Sequence, residues 1–217
     1  MTNFIPIFPL KIVVFPGEEL NLHIFEPRYK QLIGECFKDS KPFGIPSVIN
    51  DKVGDWGTLV QVEEIVKTYD NGEMDIKTRG KTVFKILEIV RSIPDKLYSG
   101  AIVNYPENEM IGRQDIMKKV LAGLKQMHAI LKITKQYTKA ENELTAYDVA
   151  HHCGLNVQEE YEMLALMQEN QRREYLKRHL NRILPLLNET EALKEKIKLN
   201  GHFKNLSSFD IDISGEE

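Results

Sequence analysis

The chain has 217 residues, of which 42% are hydrophobic and 28% charged, with a net charge of −3. This composition suits one large or two small globular domains and excludes wholesale disorder. The near balance of charge argues against an electrostatically driven nucleic-acid binder, which carries an excess of Lys and Arg.

Residues 4 to about 105 hold short runs rich in Ile, Val, Phe, Pro and Gly, a strand-like pattern. Strands are expected at Ile5–Phe8 and Lys11–Phe15, broken by Pro6, Pro9 and Pro16. Proline lacks the N–H a central ladder needs, so these runs belong at edges or bends. Leu20–Phe25 alternates apolar and polar residues. Pro27 opens a helix to Phe37, and Phe43–Ile49 is the next strand. Gly57–Tyr69 and Glu73–Thr78 form a hairpin around Asn71-Gly72, which supplies the positive φ of a tight turn. Gly80 separates that hairpin from a strand at Thr82–Arg91, and Tyr98–Tyr105 is the last. So many short strands point to a closed or nearly closed barrel.

From about residue 110 the pattern turns helical. Ile111 to about Lys135 places Ile116, Val120, Leu124, Met127 and Leu131 on one stripe. Thr145–Cys153 is a short helix ended by Gly154, and Val157–Met167 is another. Asn170 caps a further helix through Leu187, which Pro185 kinks or restarts. A terminal helix spans Glu189–Leu199. The expected fold is α+β: a barrel over 1–108, a helical bundle over 109–200 and an acidic tail over 201–217. Within that tail Phe209–Ile213 is the segment that could add a strand.

Cys36 and Cys153 show no pairing pattern and suit a reducing cytoplasm. The sequence opens without a basic, then apolar, leader, and no apolar run approaches the ~18 residues of a membrane span. A cytoplasmic location is expected.

Residues Pro6-Ile7-Phe8-Pro9-Leu10-Lys11-Ile12-Val13-Val14-Phe15-Pro16-Gly17 and Leu20–Tyr29 closely resemble the opening of Lon protease N-terminal domains. Gly57-Thr58-Leu59-Val60, Gly80–Ile86, Tyr147–Ala150, Leu164–Met167 and Arg172–Leu176 continue the likeness, which covers about residues 4–187. The resemblance implies a PUA-like β-barrel packed on a helical bundle. It also implies a substrate-binding role, the capture of unfolded or damaged protein for ATP-dependent proteolysis. On this reading the chain is a stand-alone relative without ATPase or peptidase, and not an enzyme.

No catalytic residue, metal or cofactor is expected. Gly80-Lys81-Thr82 lacks the spacing and the strand-to-helix setting of a phosphate loop. His151-His152-Cys153 places adjacent side chains about 100° apart on a helix, poorly suited to share an ion. Glu26 sits at a helix start, Arg28 is expected to bridge the barrel mouth, and Tyr29 to pack. Candidate polypeptide anchors are Phe15, Phe25, Phe43, Trp56 and Tyr69, although large aromatics are commonly core. Arg172, Arg173, Lys177 and Arg178 form a basic helix face, a candidate surface for a protein partner or RNA. An adaptor that docks on a separate protease, and an RNA binder, remain alternatives to polypeptide capture.

Overall fold

The structure, a computed structural model, describes residues 2–206, with side chains through residue 198. Residues 207–217, with the segment 209–213, lie outside the described residues. Six strands lead: β1 (Thr2–Pro6), β2 (Glu19–Ile24), β3 (Phe43–Ile49), β4 (Lys52–Thr68), β5 (Met74–Val90) and β6 (Gly100–Asn104), with helix α1 (Pro27–Lys38) between β2 and β3. Helices α2 (Gln114–Leu131), α3 (Ala146–Val149), α4 (Val157–Leu164) and α5 (Glu169–Leu206) follow. The α+β arrangement, strands first and helices after, is as expected.

The sheet runs β1-β6-β5-β4-β3. One edge of β5 serves two partners in turn: β2 along Met74–Arg79, then β6 along Lys85–Val90. After Pro6 the chain crosses to β3, and Ile7 and Leu10 make parallel bridges to Gly44 and Ser47. The Phe8 N–H donates to the Gly44 carbonyl at 2.8 Å, and the Val48 N–H to the Leu10 carbonyl at 2.7 Å. These bonds carry the sheet round into a barrel. Its lumen holds Ile5, Ile7, Phe84, Ile86, Ala101 and Val103.

Helix α1 covers one outer face of the barrel through Tyr29, Leu32, Ile33 and Cys36. The bundle covers another. Val13, Phe15 and Val83 of the barrel half share one apolar cluster with Met117, Leu124, Tyr147, Met163 and Leu180. The two halves are therefore joined by a common core.

Several boundaries differ from expectation. Lys11–Phe15 forms no strand. Side chains take two of its buried backbone groups instead: Phe15 N–H donates to Glu18 Oε2 at 2.8 Å, and Thr58 Oγ1 donates to the Val14 carbonyl. Gly80 does not separate two strands: β5 runs through it and takes up the irregularity as one extra residue, Lys81, between the pairings Val60↔Gly80 and Leu59↔Thr82. Helix α2 ends on Lys132 in the left-handed region, φ 56°, short of Lys135. Thr145 heads only the four residues of α3, and a 3-10 turn over Ala150–His152 continues to Gly154. Asn170 lies inside α5, and its Oδ1 accepts the Arg113 N–H at 2.8 Å, so it caps α2 instead. Pro185 neither ends nor restarts α5, which is one helix of 38 residues. Losing a single backbone bond is tolerable there because Pro185 and the positions beside it are mostly exposed.

Candidate functional site

Strand β5 stands between β2 and β4 in the half of the barrel wall that projects to the Asn71-Gly72 turn. His23 of β2 and Lys67 of β4 both lie opposite Asp75. Alternation puts Phe25 and Tyr69 on the same outer face. The His23 ring meets Phe25 at 6.3 Å, stacked, and Tyr69 at 5.8 Å, edge-on. Asp75 accepts from Tyr69 Oη at 2.7 Å and lies 2.7 Å from His23 Nδ1, while Glu73 lies 3.3 Å from His23 Nε2. The Asp75 hydrogen bond raises the His23 pKa, and its partners hold the Asp75 carboxyl below the usual range. Two of the five expected anchors, Phe25 and Tyr69, are thus brought together beside a histidine that sequence reasoning did not single out. Phe25 is 59% exposed, an apolar ring available to a partner.

The other three expected anchors lie elsewhere. Phe43 is fully buried in the core under α1. Phe15 is buried at the joint of barrel and bundle, stacked on Tyr147 at 5.2 Å. Trp56 is half-buried against the bundle, where the Tyr161 hydroxyl accepts its backbone N–H at 3.3 Å. Phe15 and Phe43 are packing residues, and the burial of large aromatics explains why.

A second feature was not anticipated. A cleft of about 760 Å³ opens beside β1, between Phe4, Ile5 and Pro6 on one side and Asp39, Lys41 and Pro42 on the other. Leu59, Thr82 and Tyr105 also line it, and Leu59 and Tyr105 pack against the cluster of Ile5 and Phe84. Its ionic groups are paired with one another. Lys96 Nζ donates to both Glu35 oxygens at 2.8 and 2.9 Å, Tyr98 Oη donates to the same carboxylate, and Lys41 pairs with Asp39 at 3.1 Å. The Lys96 and Tyr98 hydrogen bonds keep the Glu35 carboxyl below its usual range. The one sequence signal for this cleft was Pro6, which marks an open strand edge.

The expected basic face of α5 dissolves on folding. Arg172 and Arg173 are buried, 0% and 2% exposed, and both grip the buried Glu169, at 3.0 and 2.7 Å. Arg172 also donates to Asn108 Oδ1 and to the carbonyls of Leu166 and Glu109, and stacks over Tyr147 at 4.3 Å. The Glu169 oxygen held by Arg173 also accepts the Ala146 N–H at 2.8 Å. Burial is possible because one carboxylate and several carbonyls satisfy both guanidinium groups. Lys177 is half-buried and paired with Glu174 at 2.6 Å, and of the four candidates only Arg178 is exposed. Folding leaves little of a cationic stripe for RNA.

The remaining motifs have structural roles. At Gly80 an added Cβ would stand 2.3 Å from the Phe15 carbonyl, so the glycine permits the close approach of the 15–18 turn. Arg28 pairs with Glu26 at 2.7 Å, two residues away, and not across the barrel mouth. It lies 4.5 Å over the ring of Tyr29, which itself stacks on Phe8 at 3.8 Å. Cys153 is fully buried, its thiol pushed up to about 12 by burial and bonded to the Val149 carbonyl at 3.3 Å. His152 faces Tyr137 and His128 edge-on, and His151 bridges two carboxylates.

The family model of the ATP-dependent protease La (LON) substrate-binding domain matches residues 5–182. The chain belongs to the Lon substrate-binding domain family. Two solved Lon N-terminal domains share its fold. The Lon N-terminal domain protein from Xanthomonas campestris is 20% identical, with a TM-score of 0.62 over 80% of this chain and 96% of that one. The N-terminal domain of Mycobacterium avium complex Lon protease is 14% identical, with a TM-score of 0.60 over 82% of this chain and 98% of that one. At such identities the likeness is one of fold. The part of Lon matched here is the non-catalytic one. No helix among the described residues is long and apolar enough to cross a membrane.

Proposed function

We propose that this Lon-family domain binds unfolded or damaged polypeptides in connection with ATP-dependent proteolysis, in the cytoplasm, through a barrel of PUA-like type. The observation that carries this reading is the open apolar surface of the barrel half. Phe4 and Phe25 are 52% and 59% exposed, and Phe4 borders a cleft whose charges are already paired. Unfolded chains differ from folded ones in exposing apolar side chains and unpaired backbone, which such a surface can take up. Affinity is expected to be modest, because ordering a flexible client costs entropy.

Titration with a reduced, carboxymethylated protein that cannot refold, and with its native folded form, tests the reading. Binding of the unfolded form alone, little changed between low and moderate salt, supports it. Equal binding of both forms, or of neither, overturns it. Single-stranded RNA in the same assay should bind weakly, since Arg172 and Arg173 are internal.

A second reading, an adaptor for a separate protease or another protein, has one observation in its favour. Leu186, Leu193 and Ile197 are 59%, 58% and 61% exposed on α5, at spacings that bring them toward one side of the helix. A partner helix would cover such a stripe. Recovery of an ATPase or protease that is lost when Leu193 and Ile197 are changed to Gln would favour this reading.

A further inference from the structure

Strand β1 pairs with β6 from Thr2↔Asn104 to Pro6↔Gly100, and it stands at the end of the sheet order. The chain reaches β3 only from Ile7 onward. Between Thr2 and Ile5, therefore, the edge of β1 that faces away from β6 has no partner strand among the described residues. The direction of each backbone group follows from two bonds. Ile7 N–H donates toward β6, to Ser99, and Phe8 N–H donates the other way, to Gly44 of β3. Antiparallel alternation then turns the N–H and carbonyl of Phe4 away from β6, into the open side. Pro6 shares that phase and has no N–H to leave unpaired.

This open edge borders the 760 Å³ cleft. The cleft joins unpaired backbone to an apolar end lined by Ile5, Leu59 and Tyr105, and its rim charges neutralise each other. A charged occupant would find no free counter-ion there among the described residues. An uncharged one would bury apolar side chains and complete the ladder of β1.

We infer that the cleft takes an extended, uncharged segment of client polypeptide, with apolar residues at alternate positions, which adds as a strand to the free edge of β1. This rests on the polypeptide-binding reading above and specifies its mode. Backbone bonds to Phe4 would supply affinity that is indifferent to sequence, and the apolar end would select one face of the guest strand. A domain that meets many different unfolded chains gains generality from recognising the backbone they share.

The test uses the full chain and a fluorescent eight-residue peptide of alternating Val and Thr. Two further copies are N-methylated at the odd or at the even amides. The alternation of side chains pins the register, so one amide set faces β1 and the other faces away. The expected result is that one methylated copy binds about tenfold weaker or worse, while the other resembles the parent. Phe4→Pro removes the edge-facing N–H, and Phe4→Ala removes only the ring. The proline variant is expected to bind the parent peptide several-fold more weakly than the alanine variant. Pro6 shows that this side of β1 accepts proline, and circular dichroism checks the fold; if Phe4→Pro unfolds, the methylated pair decides. A reduced, carboxymethylated protein is titrated in parallel. If it binds while the parent peptide does not, or while both methylated copies match the parent, strand addition is wrong and polypeptide capture stands. If neither it nor the peptide binds, both readings fall.

Discussion

His151 Nε2 lies 3.0 Å from Glu18 Oε2, an ionic link from the bundle to the turn before β2. Its other nitrogen lies 2.7 Å from Glu160 Oε1 on α4, and Phe15 packs on the ring at 4.8 Å. The same Glu18 oxygen accepts the Phe15 N–H at 2.8 Å. One imidazolium thus holds together a barrel turn and a bundle helix. Burial lowers the His151 pKa, but the Glu160 and Glu18 bonds outweigh it and raise it to about 10.

The sign of the pH effect follows. A histidine whose folded pKa exceeds its unfolded value stabilises fully below the unfolded value, about 6.5, while the carboxylates stay ionised. That stabilisation fades as pH rises from 6.5 toward 10. His151→Gln should cost about 1–2 kcal/mol near pH 6, a value moderated by the partial exposure of the ring. Urea unfolding of both proteins at pH 6, 8 and 10 should show the difference shrinking with pH. A constant difference would mean that His151 acts by packing alone.

Glu169→Gln should be the more damaging change. It leaves the buried Arg172 and Arg173 without their shared carboxylate. Breaking a buried pair in this way costs ~3–5 kcal/mol, or roughly 6–20 °C in Tm for a chain of this size. Calorimetry checks it. A loss under about 1 kcal/mol would show that the carbonyls around the guanidinium groups suffice without the carboxylate.

The five aromatic candidates should separate cleanly. Phe43→Ala should destabilise by about 3–5 kcal/mol, because a fully buried ring is removed. Phe25→Ala and Tyr69→Ala should leave the fold intact. If the outer face around His23 also receives clients, each should weaken binding of an unfolded protein by ~1–2 kcal/mol. Unchanged affinity in both would restrict client contact to other parts of the surface.

Gly80→Ala should destabilise by ~1–3 kcal/mol through the clash with the Phe15 carbonyl. It should leave ATP titrations featureless before and after, as expected of a strand glycine. Denaturation midpoints for the two proteins measure the first effect, and a fluorescent ATP analogue the second.

Much of this was written locally in the sequence. Prolines at 6, 9 and 16 marked edges and bends, Asn71-Gly72 marked the hairpin, and the spacing of Ile116, Val120, Leu124 and Met127 marked the buried side of α2. Each signal depends on steric or hydrogen-bond limits of a few neighbouring residues, so it survives without a fold. The opening motif likewise carried the family. Tertiary structure alone decided the rest. Arg172 and Arg173 read as a solvated face because charges are normally exposed, and only Glu169 with carbonyls brought from residues 109, 113 and 166 made their burial affordable. Phe15 and Phe25 look alike in sequence, yet one closes the barrel against the bundle and the other stands 59% exposed. The open edge of β1 is also a long-range fact, because the chain crosses to β3 only after Pro6 and leaves the side of Thr2–Ile5 that faces away from β6 without a partner strand among the described residues.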